Sequence, residues 1–220
     1  MVKKKMVLWS LFIILIFSII FFVEYSFFLK QDKEEVMLIP DDSGKVEFNA
    51  GYLELSYDFS QVKILKKDDK IEIIDKLTGE LLDAYGEEVK PLSEGKYQYT
   101  IYRERKGNFG ILRLYTVFKV FEKEGKKEIV EILDKYWDIM SKSGWYIENQ
   151  QAASMITPGD FPSKRIETVG RVTIARKNKN DGWIVRRIYD LGYVYWIEIP
   201  PFFRQEEPSP LSENFTIYIS

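Results

Sequence analysis

The sequence predicts an α+β protein in which an N-terminal transmembrane helix precedes a mainly antiparallel β body carrying one amphipathic helix. Three observations predict it. A long uncharged run opens the chain, and period-two alternation broken by turn clusters fills most of the remainder. A single stretch, 126–143, repeats its apolar residues at helical spacing.

The opening run follows Lys3, Lys4 and Lys5 and extends from Val7 to Val23 with only Ser10 and Ser18 as polar residues. Glu24 interrupts it before Tyr25 to Leu29 resume the apolar character. As a helix, residues 7–29 would be about 34 Å long, enough to cross a hydrocarbon core of ~30 Å with some tilt. Trp9 and Tyr25 suit the two interfaces, and Glu24 lies near enough to the end to snorkel. A cleaved signal peptide has the same order of basic and apolar regions. Its apolar part is shorter, about 7–15 residues, and a small-x-small site follows it; here the first alanine is Ala50. The expectation is therefore an uncleaved signal-anchor: a single-pass cell-membrane protein held by residues 7–29. Concentration of the lysines before the span puts the N-terminus in the cytoplasm and the body outside it.

Residues 1–29 are thus read as tail and anchor and 30–44 as a linker. A β-rich subdomain, 45–122, and a helix-plus-strands subdomain, 123–220, follow, or else 45–220 is a single domain. In the first part, residues 46–57 alternate, and 61–65 with 70–74 read as a hairpin. Asp75 to Glu80 is a turn in which Gly79 can take positive φ. Residues 97–103 and 111–121 form a second hairpin, with Leu112, Leu114, Phe118 and Val120 on one face. In the second part Ile129, Leu133, Tyr136, Trp137 and Met140 make the apolar stripe of the expected helix. Gly144 occupies its left-handed C-cap position, with Trp145 returning onto Met140. Strands follow at 165–175, 183–189, 193–199 and 215–219. Ile166, Val172 and Ile174 form the dry face of the first, and Tyr193, Tyr195, Ile197 and Ile199 share the core face of the third.

Composition removes many functions. With no His and no Cys, the chain has no Ser-His or Cys-His nucleophile, no His or thiolate metal site and no disulfide. A net charge of −2 argues against nucleic acid as a partner. Carboxylate chemistry remains, and Glu148, Asp160, Glu167, Asp190 and Glu198 are the acidic candidates of the last third. A glycosidase needs two such groups facing across a sugar; 34 acidic residues supply many pairs whose simpler role is solvation of strand faces. Ser141 and Lys142 are helix neighbours that would not face one another. The 178–182 turn places Lys177 and Lys179 where a calcium loop needs acids. No phosphate loop occurs, and no cofactor or metal is expected.

Charge is divided unevenly. Residues 30–95 carry nine Lys and 17 Asp+Glu, a net −8, whereas 164–187 carry eight Lys+Arg and two acids, a net +6. Arg165, Arg171, Arg176, Arg186 and Arg187 would on one reading form a face for an anionic partner, an envelope protein or an anionic polymer. On the other they cover the wet side of a sheet and pair with nearby acids. Trp183 and Trp196 offer an aromatic binding surface, with core packing as the alternative. The expectation is a non-catalytic binding or envelope-assembly component; the alternative is a membrane-anchored carbohydrate-active enzyme using paired carboxylates.

Overall fold

The computed structural model describes residues 35–67, 69–141, 144–177 and 184–198, and every regular element among them is a β-strand. In chain order these are β1 (Val36–Leu38), β2 (Lys45–Glu47), β3 (Tyr52–Glu54), β4 (Val62–Lys67), β5 (Lys70–Asp75) and β6 (Leu81–Ser93). They continue with β7 (Lys96–Gly107), β8 (Gly110–Lys123), β9 (Lys126–Ser141), β10 (Tyr146–Thr157), β11 (Arg165–Lys177) and β12 (Ile184–Trp196). The apolar 7–29 segment, Trp183, the 178–182 turn and the 215–219 strand lie outside the described residues.

Two antiparallel sheets result. One has seven strands in the order β1-β4-β5-β6-β7-β8-β9, and the other has five in the order β10-β11-β12-β3-β2. Strands β4 to β9 form a meander, so each pairs with its chain neighbour across a short turn. Period two explains why the sheets face each other. Leu112, Leu114, Thr116, Phe118 and Val120 are all buried on one side of β8, and Ile166, Thr168, Val172 and Ile174 on one side of β11. Tyr193 and Tyr195 of β12 join the same core, with the Phe118 and Tyr195 rings 6.0 Å apart across the two sheets.

The α+β expectation fails at residues 126–143. Within that segment Lys126–Ser141 is β9, paired with β8 over its whole length, and no helix occurs among the described residues. Two register shifts interrupt the pairing. Opposite the inward residues Leu112, Leu114, Thr116, Phe118 and Val120 stand Ile139, Trp137, Lys135, Ile132 and Ile129. The apolar stripe that suggested a helix is divided between the two faces of the strand: Ile129 and Trp137 are buried, whereas Leu133, Tyr136 and Met140 are exposed. Gly144 does take a left-handed conformation, φ 75°, but in the turn joining β9 to β10 rather than at a helix end. Likewise 183–189 and 193–199 are not separate strands: β12 runs unbroken from Ile184 to Trp196.

The chain changes sheet between β9 and β10, and Trp137 fastens that corner. Its indole Nε1 donates to the Gln151 carbonyl at 2.9 Å. The ring lies over Gly170, where a Cβ would come within 2.9 Å of both the indole and that carbonyl. Towards the other end of β9, Ile129 and Ser163 exchange main-chain hydrogen bonds of 2.6 and 2.9 Å, tying the strand to the loop before β11.

Candidate functional site

The five-stranded sheet carries the predicted arginines, but not as one free cationic face. Alternation along β11 and β12 puts Arg165, Arg171 and Arg186 on the outer side, and register spreads them along the strands opposite Trp196, Asp190 and Ala175. Arg171 forks onto Asp190, with Nε at 2.7 Å and Nη2 at 3.0 Å. Arg186 forks onto Glu148 of β10, at 2.6 and 2.9 Å, and this partner holds the Glu148 carboxyl below the usual range. Arg165 donates to Thr157 and lies 3.4 Å from Glu167. Arg187 points the other way, to Asn108 in the β7–β8 turn at 2.9 Å and over the Trp145 ring. Arg176 is exposed at the end of β11.

Trp196 does not lie under a helix, since none is there. It sits on the outer side near β3, donates to Glu54 at 2.8 Å, and stacks between the cations Lys45 and Arg165. Of the other acidic candidates, Glu198 accepts from Lys164 at 2.6 Å, while Asp160 is exposed in the loop before β11. No two of these carboxylates are brought together across a cleft.

Two buried carboxylates that periodicity does not reveal lie on the inner face of β6. Asp83 accepts from Arg103 through Nε and Nη2 at 3.1 and 2.7 Å, from Arg105 at 3.0 Å and from the Tyr57 hydroxyl. Burial pushes its carboxyl up, but the two guanidinium groups prevail and hold it below the ordinary aspartate range. Arg103 then donates to the Gly192 carbonyl at 2.6 Å and so links the two sheets. Glu87, four residues on, accepts from the amides of Asn49 and Ala50 at 3.0 and 2.9 Å and from Tyr195. It has no guanidinium, and burial raises its carboxyl above the ordinary range despite those bonds. Between them and the corner, Thr116, Thr168 and Tyr193 form a dry hydroxyl cluster with contacts of 2.6 and 2.8 Å.

On the outer face of the seven-stranded sheet, Tyr102, Tyr115 and Tyr136 stand side by side on β7, β8 and β9 with centroids 5.1 and 4.8 Å apart. Gly86 makes room for the Tyr102 ring, and Arg113 covers that ring at 4.7 Å. Arg113 also grips Glu104, which is buried beneath Lys70 and Lys106. Such cross-strand ladders stabilise an open sheet face. A surface depression of about 410 Å³ is lined by Ser60, Gln61, Asp75, Lys76 and Leu77; its carboxylate, Asp75, is occupied by the amides of Leu77 and Thr78.

The feature left open is the first half of β12. Residues 184–188, Ile-Val-Arg-Arg-Ile, are exposed on both sides of the strand. A five-residue run mixing aliphatic and arginine side chains without alternation was its trace in the sequence. No family model, curated protein or solved structure matches this chain.

Proposed function

We propose that this chain is a single-pass, membrane-anchored extracytoplasmic protein with a binding or envelope-assembly role rather than a catalytic one. The apolar segment 7–29 supports the anchor, and its flanking lysines support the orientation. The observation that carries the non-catalytic reading is the engagement of the carboxylates. Asp83, Glu104, Glu148, Asp190 and Glu198 are each held by a cation, and Glu87 by two amides and a phenol. A glycosidase would need two facing carboxyls with room for a sugar between them. Here the interior is filled by side chains from both sheets.

The test is mild-detergent purification of the full-length protein from its native membrane, with crosslinking and identification of what is retained. A stoichiometric partner recovered across detergents is the expected result. Hydrolysis of envelope glycans by the purified protein, abolished by single Asp or Glu replacements, would overturn the reading. A reporter fused after residue 220 checks the topology: activity only in the cytoplasm would reverse the orientation.

A further inference from the structure

The two neighbours of β12 cover it unequally. β11 pairs with its whole length, Arg165–Lys177 against Ile184–Trp196, without a register shift. On the other side β3 meets only Val194, Tyr195 and Trp196. Residues 184–193 therefore present a strand edge with no main-chain partner among the described residues. The direction of the free groups follows from the ends of the strand. Ile197 donates its N–H to Lys164 on the β11 side, whereas the Gly192 carbonyl turns away and accepts from Arg103. By alternation, the N–H and C=O groups of residues 184, 186, 188 and 190 point outwards from the sheet edge.

Exposed edges are ordinarily blunted by charge, proline, bulges or shortness. This one has no proline and no bulge, and Ile184, Val185 and Ile188 are 40%, 46% and 65% exposed. Its two arginines do not shield it. Arg186 is drawn back across β11 to Glu148, and Arg187 reaches down to Asn108 and Trp145. What remains is a straight template with aliphatic side chains, flanked by Arg176, Lys177, Arg186 and Arg187.

We propose that the open edge of β12 over residues 184–190 captures an extended segment of a partner protein in which apolar residues alternate with Asp or Glu. Main-chain hydrogen bonds to the free edge hold it as an added strand. Its apolar side chains, all on one face, lie beside Ile184 and Ile188, and its acids, on the other face, complement Arg187 and Arg176. The inference rests on the binding role above and narrows it to one surface and one class of ligand.

Hydrogen exchange with mass-spectrometric readout, on the full-length protein in lipid nanodiscs, tests it. The probe is a peptide of alternating Glu and Val, compared with a peptide of the same composition in two blocks. The alternating peptide should slow exchange across 184–190 by about tenfold or more, and the effect should weaken with salt. The block peptide should leave exchange unchanged. Ile188→Pro should abolish protection while keeping the melting curve, because the lost N–H serves no bond to β11. If that variant does not fold, Arg186→Glu with Arg187→Glu should transfer the preference to a Lys-Val peptide. Absence of protection overturns the proposal. So does an edge already protected without peptide, whether protection is lost on dilution (a second copy) or on removal of residues 199–220 (the chain's own segment). Recovery of a membrane partner with 184–190 still exchanging freely would overturn this edge and leave the binding role standing.

Discussion

Asp83 in the interior and Asp190 on the outer face of the five-stranded sheet are gripped in the same way, each by an arginine through Nε and Nη2. Their surroundings differ. The Asp83 side chain is 1% exposed and that of Asp190 60%. Inside, the charges have left water and each depends on its partner; outside, solvent and salt compete with the same geometry. Identical contacts therefore have different consequences, and the interior pair belongs to the fold in a way that the exposed pair does not.

The largest expected effect comes from breaking the interior pair on one side. Asp83→Ala leaves Arg103 and the Tyr57 hydroxyl facing a space without an anion, and should destabilise by about 3–5 kcal/mol. Adding Arg103→Met should recover much of that loss, because an apolar pair needs no compensation. Denaturant melts of the single and double variants check this. A double variant no better than the single would mean that the link from Arg103 to Gly192 matters more than the charge balance.

A smaller loss should follow from Tyr193→Phe. The phenol donates to the Ile101 carbonyl at 2.9 Å and contacts Thr116 at 2.8 Å, so its removal leaves buried acceptors short of a donor at a cost of about 1–2 kcal/mol. Thermal melting measures it, and Thr116→Val in the same background should cost less than it does alone.

Acid sharpens the comparison within the interior itself, because Asp83 and Glu87 respond with opposite sign. Asp83 titrates lower when folded than when unfolded, so its contribution is present above the unfolded pKa and is lost as pH falls through the folded one. Glu87 titrates higher when folded, so folding gains stability as pH falls from the folded pKa towards the unfolded one. Stability should therefore rise slightly on mild acidification before it collapses. Glu87→Gln should remove the rise and leave the collapse, as followed by urea midpoints across pH.

The same distinction between local and remote partners decides what the sequence discloses. β8 and β11 were legible because their inward residues are uniformly apolar or small: Leu112, Leu114 and Phe118 in one, Ile166, Val172 and Ile174 in the other. β6 was not, because Asp83 and Glu87 occupy inward positions, and their partners Arg103 and Tyr195 are 20 and 108 residues away. β10 is a polar sheet-edge strand, Glu-Asn-Gln-Gln at residues 148–151, and carries too few inward aliphatic residues to show its period. β9 was misread because apolar residues occupy both of its faces, Ile129 and Trp137 inside and Leu133, Tyr136 and Met140 outside, and together they mark out a helical spacing. The arginine-rich segment was visible as charge, but its neutralisation by Glu148, 38 residues from Arg186, was not. Nor could the open edge be read, since it exists because β3 is ten residues shorter than β12.

The smallest expected effect lies on the outer face, and it bears on function for that reason. Arg171→Ala removes a fork to Asp190 in which both side chains are mostly exposed, and Arg186→Ala removes one to Glu148 at a similar surface. Neither should move the melting midpoint measurably, and adding salt to the native protein should change little, because exposed pairs are already screened. If either variant melts markedly earlier, the outer arginines are part of the frame and the contrast with Asp83 fails. If neither does, Arg186 can be altered without disturbing the strand that carries it. A change in partner capture by that variant would then report on recognition alone, separated from folding, at the half of β12 that pairs on one side only among the described residues.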